Sequence, residues 1–282
     1  MTRPHIDYLQ SQTLPWRASP WPHLPGCQMK TLSRDADSGA VSVLVRYPSG
    51  WQAPGAGSLA TDEEFLVVDG AFEIDGRTCR QDCYAWLPAG ARQAVRAAPD
   101  GAVVLAFYAE EPLWIDDDAP AAPPAPEAEP AFIDAYELPW QSDGIDPVFG
   151  GEGQAWKALR GSPYTDSVTM LLASPPHRRP PRWLAPQEIH SCDEELFVLS
   201  GDFQSNLGQL SAGAYVWRPA GVAHGPYGTR GGNLTLVRTH GAPLGNSFTP
   251  HEVTLSRMAV YEPVLPEELA ALRLHPWRAQ RY

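Results

Sequence analysis

The strongest constraint on what this chain can become is that it contains itself twice. Glu63-Glu64-Phe65-Leu66-Val67-Val68-Asp69-Gly70 aligns with Glu194-Glu195-Leu196-Phe197-Val198-Leu199-Ser200-Gly201 at an offset of 131. Tyr84, Trp86, Pro88, Ala89 and Gly90 match Tyr215, Trp217, Pro219, Ala220 and Gly221 at that same offset, and so does Pro112-Leu113 with Pro243-Leu244. Upstream the offset falls to 127 (Lys30 with Lys157, Leu32 with Leu159) and then to 124 (Leu14-Pro15-Trp16 with Leu138-Pro139-Trp140). A repeat of this length fixes the architecture before any single motif is weighed. Two similar domains follow, and 282 residues is a fitting length for them.

Each copy reads as short β-strands. Val41 to Tyr47, Glu64 to Val68, Val103 to Tyr108, Thr169 to Ala173, Leu196 to Leu199 and Leu234 to Thr239 are rich in Val, Leu and aromatics. Thirty Pro and 24 Gly supply many turns between them, the spacing of sandwiches and barrels. Asp69-Gly70 and Ser200-Gly201 read as hairpin turns. The fold class is therefore all-β. Residues 1–114 form the N-terminal barrel and 115–134, rich in Ala, Pro and acidic residues, form a linker. Residues 135–262 form the C-terminal barrel, and 263–282 form a tail. In that tail Pro266 to Leu274 reads as a helix, with Glu267 and Glu268 in its first turn and Pro276 beyond its end.

A net charge of -12 repels phosphate backbones and anionic lipid surfaces, so a small-molecule partner is expected rather than nucleic acid or membrane. The opening residues lack an apolar signal region, and no stretch is apolar enough for a membrane-spanning helix. A cytoplasmic location is expected. Cys27, Cys79, Cys83 and Cys192 are too few for a disulfide framework and read as reduced thiols. Edge strands leave pairing into a homodimer open.

The chemistry concentrates in the second copy. On an extended strand, Glu188 and His190 share a face, Glu194 can return to meet them, and His224 arrives after the turn Pro219-Ala220-Gly221. Two imidazoles and a carboxylate form a set that leaves open positions on a divalent metal, and a second carboxylate balances its charge. In the first copy Leu59 stands opposite His190 and Gln93 opposite His224, and only Glu63 matches Glu194. The N-terminal barrel is expected to be metal-free. Arg238 shares strand parity with Leu234 and Leu236. If these face the barrel, Arg238 clamps a substrate carboxylate or pairs with an acid, and if the strand twists it reaches solvent. Cys192 shares parity with His190 and Glu194 and is a weaker candidate.

The run His190, three residues, Glu194, six residues, Gly201, followed by Gly213, five residues, Pro219-Ala220-Gly221, two residues, His224, resembles the two motifs of the cupin superfamily. The chain looks like a bicupin. Its wording around Asp193-Glu194-Glu195-Leu196-Phe197-Val198-Leu199 is similar to the anti-sigma-factor cupin modules and the dihydroxyacetophenone-type dioxygenases. That resemblance covers roughly residues 30–113 and 157–244 and implies two tandem jelly-roll barrels. Glu188 stands where the family places its first His, and Gly228 where it places Asn. The expected site is one divalent metal held by His190, Glu194 and His224 with Glu188 as fourth ligand, Fe(II) favoured over Mn or Zn. The expected activity is oxidative cleavage of a small diketone, enediol or hydroxyketone, with Glu188 and Arg238 as candidate catalytic residues. A redox-silent isomerase or hydrolase using Glu188 as general base, or a ligand-sensing cupin, are the alternatives.

Overall fold

A computed structural model describes residues 3–117, 128–143, 153–163, 166–256 and 259–274. The chain divides into two compact units, one built from Arg3 and residues 15–138, the other from Pro4–Leu14 and residues from Pro139 onward. Both are antiparallel β structures.

The first unit carries a sheet in the order Ala131–Asp134, Cys83–Leu87, Glu63–Ile74, Ala102–Tyr108, Val41–Tyr47, Gln28–Arg34 and Arg17–Ala18. The second repeats it with Ile6–Gln10, Ala214–Arg218, Asp193–Ser205, Asn233–His240, Val168–Ser174 and Ala155–Gly161. The offsets read from sequence recur in the backbone. Val41–Tyr47 and Gln28–Arg34 map onto Val168–Ser174 and Ala155–Gly161 at 127, and the lone bridge between Gly57 and Gln93 maps onto that between Glu188 and His224 at 131. Side chains follow. The Tyr84 hydroxyl donates to Glu64 (2.7 Å) and the Tyr215 hydroxyl to Glu195 (2.6 Å), so these repeated aromatics serve packing and hydrogen bonding. Lys30 lies over the Trp16 ring at 4.9 Å and Lys157 over Trp140 at 4.5 Å.

At the offset of 124 the copies exchange their opening segments. Ile6–Gln10 and the 3-10 turn Ser11–Thr13 correspond to residues 130–134 and the turn Ala135–Glu137. The first segment pairs with Ala214–Arg218 in the second unit, and its counterpart pairs with Cys83–Leu87 in the first. The expected boundaries at 114 and 134 are corrected accordingly. Trp114–Asp116 pairs with Gly57–Leu59, Ala131–Asp134 is a sheet strand rather than linker, and the Ala/Pro-rich 118–127 lies outside the described residues. An alternation as short as Ala131-Phe132-Ile133 after a Pro-rich run is easily passed over as linker.

The expected hairpins at Asp69-Gly70 and Ser200-Gly201 are corrected as well, because the strands Glu63–Ile74 and Asp193–Ser205 run through them. Each strand carries a bulge there, with Gly70 and Gly201 at φ of 76° and 77°. A Cβ at Gly201 would stand 2.0 Å from the Gly232 carbonyl oxygen, so only glycine fits that close crossing. The expected tail helix is a 3-10 helix over Glu267–Leu274. No helix among the described residues is long and apolar enough to cross a membrane.

The two interiors differ. In the first unit aromatic rings fill the barrel: Tyr47 packs on Trp51 and Phe72 (both 4.7 Å between centroids), and Trp21 meets Tyr108 edge-on at 5.3 Å. His23 is stacked between Trp21 (6.0 Å) and Trp114 (5.4 Å), with neither ring nitrogen hydrogen-bonded. Burial, and then the Arg96 charge, push its pKa down to about 3. The unfolded chain therefore takes up this proton near pH 6.5 while the folded chain refuses it, so stability rises with pH between about 3 and 6.5 and is lost on acidification. His23→Phe is expected to remove on the order of 4 kcal/mol of that acid sensitivity. Urea unfolding of both proteins at neutral and mildly acid pH checks this, and an unchanged pH slope would contradict it.

Candidate metal centre

Three of the four residues singled out in the second copy form one cluster, and the fourth, Glu194, stands beside it. Arg182–His190 pairs with Asn246–Ser256, and the backbone of Glu188 bridges that of His224 (2.8 and 3.0 Å), which sets the two side by side. Glu188, His190 and His224 each offer a ligand atom within 4.8 Å of the others, and all three are buried. The imidazole centroids are 4.8 Å apart. His190 Nε2 lies 3.8 Å from a Glu188 oxygen, and the two oxygens of Glu194 lie 3.7 Å from His190 Nε2 and 3.7 Å from His224 Nε2.

The outer nitrogens are fixed by the backbone. His190 Nδ1 is 3.1 Å from the Gly245 carbonyl and His224 Nδ1 is 2.9 Å from the Val222 carbonyl, so each Nδ1 donates outward and each Nε2 faces the cluster. His224 Nε2 is buried with no hydrogen-bond partner. Burial and then the Arg218 charge push the His224 pKa down to about 4, which keeps the ring neutral. A neutral imidazole whose far nitrogen is pinned by a carbonyl, with an orphaned inner lone pair, is the state in which histidine binds a metal. The donor set fits a divalent first-row ion.

Two residues of this site escaped the sequence reading. Arg218, fully buried, donates two hydrogen bonds to Asp7 (2.9 and 3.3 Å) and a third to Glu194 Oε2. Asp7 reaches it because Ile6–Gln10 bulges between Ile6 and Leu9, with Asp7 pairing its backbone with Val264. Burial alone would raise both carboxyl pKa values. The Arg218 charge, joined by His5 at Asp7 and by His190 and His224 at Glu194, more than offsets it, and both are held below the ordinary range. The signal was available, since Arg218 stands opposite Leu87 at 131 and Asp7 opposite Ala131 at 124.

The first unit shows what replaces this arrangement. Gly57, Leu59 and Gln93 occupy the places of Glu188, His190 and His224. Glu63 instead takes two hydrogen bonds from Arg96 (3.0 and 3.1 Å) and one from the Tyr108 hydroxyl (3.0 Å). The guanidinium there supplies the positive charge within the chain itself.

Arg238 is a correction. It is buried, donates to Glu195 at 2.5 Å and stands 3.5 Å from His240 Nε2, and it is absent from the described cavity lining. The cavity face of its strand is the other parity, Asn233, Thr235 and Val237. Both faces are buried, with Leu236 and Val237 each nearly inaccessible, so hydrophobicity alone could not tell inside from outside. Cys192 is buried outside the cavity lining, and its thiol is pushed up to about 11 by burial and the Glu194 charge.

Beside the cluster lies a cavity of about 180 Å³. In its lining Ser174 and Leu196 stand in the places of Tyr47 and Phe65, while Trp156 stands in the place of Met29.

Fold and site together define two antiparallel β units of cupin-like jelly-roll fold, the second with a candidate metal centre. The chain belongs to the family described as Domain of unknown function (DUF4437), whose model matches residues 8–242. Among solved structures it is similar to a provisionally assigned dioxygenase of Nostoc punctiforme, at 21% identity over 88% of this chain and 86% of that one, with a TM-score of 0.72. Protein Ylba of E. coli is similar at 15% identity over 83% and 90%, TM-score 0.55. A variant of Bacillus subtilis oxalate decarboxylase is similar at 12% over 86% and 79%, TM-score 0.53. No curated protein sequence matches the chain.

Proposed function

We propose that the second unit binds one divalent metal ion through Glu188, His190 and His224, with Glu194 as a further carboxylate ligand, and that the protein is a dioxygenase of small diketones, enediols or hydroxyketones. The observation that carries the reading is the pair of inner Nε2 atoms, each with its Nδ1 on a backbone carbonyl, facing two carboxylates beside a cavity. Iron(II) is the favoured ion, with manganese or zinc as alternatives. A metal held there polarises a substrate oxygen and, as iron, supplies the one-electron chemistry that O2 requires.

The chain's own residues do the rest. Apolar walls exclude water from the reacting end, burial and the Arg218 charge keep His224 neutral, and the Nδ1 hydrogen bonds of His190 and His224 aim their Nε2 atoms at the cluster. Glu188, buried at the cavity wall, would hold the ion through one carboxylate oxygen and leave the other to accept the acidic proton of a hydroxyketone. For a hydroxyketone the balance is one O2 consumed, the bond between carbonyl and carbinol carbons broken, and both oxygen atoms retained in two carboxylic acid products. The provisional name of the Nostoc protein and the carbon–carbon cleavage named for the Bacillus one support this chemistry on this fold.

Oxygen uptake by the Fe(II)-reconstituted protein over a panel of small diketones and hydroxyketones tests it. Uptake that is stoichiometric with acid formation is expected. Full iron content with no uptake on any member would leave a ligand-binding cupin instead.

A further inference from the structure

Resting on that reading, we propose that the cavity takes an uncharged substrate with an apolar arm about the size of one six-membered ring, and discriminates against carboxylates. Two observations lead there. First, the cavity wall is made by Met170, Leu172, Leu196, Phe203, Val237 and Leu244, while Asn233 and Thr235 on the polar side are hydrogen-bonded to each other (3.3 Å). A volume of about 180 Å³ slightly exceeds the roughly 150 Å³ apolar cavity that admits benzene.

Second, no lysine or arginine lines the cavity among the described residues. Arg218, the guanidinium that touches Glu194, also holds Asp7. Taking the carboxylates as ionised and the imidazoles as neutral, Asp7, Glu188 and Glu194 give three negative charges against one on Arg218. A divalent ion closes that balance at zero. A dicarboxylate would add two further negative charges to a site the ion has already brought to zero, where no lysine or arginine and only His177 beyond the ligands could offset them, which is costly. An uncharged dicarbonyl or hydroxyketone adds none, and its arm fills the apolar wall.

Calorimetry on the full chain loaded with Zn(II), which binds without turnover, tests the proposal with matched probes. Methyl phenylpyruvate, uncharged and ring-bearing, is expected to bind at least about tenfold more tightly than phenylpyruvate and than methyl pyruvate, with oxalate weaker still. Leu172→Trp is expected to weaken the ester at least about tenfold while zinc content stays at the wild-type level. Phenylpyruvate or oxalate binding as tightly as the ester would overturn the charge argument. Methyl pyruvate binding as tightly as its phenyl counterpart, or Leu172→Trp leaving the ester unaffected, would overturn the apolar arm. If zinc is taken up and none of the probes binds, the substrate proposal fails and the metal centre stands. If no zinc is taken up, both fall.

Discussion

His224→Ala will lose the metal, with affinity falling by on the order of 1000-fold, beyond the ~10–100-fold cost of removing an outer hydrogen-bond partner. His224 contributes an inner nitrogen that is buried, neutral and without a hydrogen-bond partner, and its ring is held by the Val222 carbonyl and by the backbone bridge to Glu188. Glu188 and His190, which lie with it in the cluster, are already counted as ligands. The position-matched control is Gln93→Ala, the equivalent residue of the first unit, which should leave metal content unchanged. Equilibrium dialysis with metal analysis of both variants, alongside circular dichroism to verify folding, decides the matter. Full metal content in His224→Ala would remove the ligand assignment.

The second large effect belongs to Arg218. Arg218→Met leaves Asp7 and Glu194 buried with no countercharge, and breaking a buried ion pair in this way costs about 3–5 kcal/mol. In a domain of this size that lowers the melting temperature by roughly 10 °C. Metal binding should weaken too, because Glu194 then shifts toward its protonated form. The acid limb carries a sign. The pKa values of Asp7 and Glu194 are held low in the folded chain, so their contribution is full above the ordinary carboxylate range and is lost as pH falls through the folded values. Arg218→Met should flatten that part of the stability curve. Asp7→Asn should show a smaller version of both effects, although residue 7 lies more than two hundred positions from Arg218. A wild-type melting temperature in Arg218→Met would show that the network contributes nothing.

How much of this was legible in the sequence depends on how each residue is held. The duplication was legible to the residue, because strands buried on both faces tolerate little change in register: the offset of 131 reappears in the Gly57–Gln93 and Glu188–His224 bridges. The donors were legible because imidazole and carboxylate at fixed spacing have few bland explanations. Arg238 was misplaced for a reason intrinsic to such sheets, since a strand with Leu236 buried on one side and Val237 on the other carries no alternation. Asp7 was missed because the opening segment of one copy joins the sheet of the other unit, an exchange that local pattern cannot express. The cavity was also hidden in plain comparison. The replacement of Tyr47 and Phe65 by the lining residues Ser174 and Leu196 is visible once the copies are aligned strand by strand.

The most direct test is the metal content of the full chain after loading with Fe(II) under anaerobic conditions and removal of excess ion. One equivalent per chain is the predicted result, because one barrel presents two imidazoles with two carboxylates, while the other has Leu59 and Gln93 in place of the imidazoles and pairs its remaining carboxylate, Glu63, with Arg96. No bound metal, or two equivalents, would contradict the account.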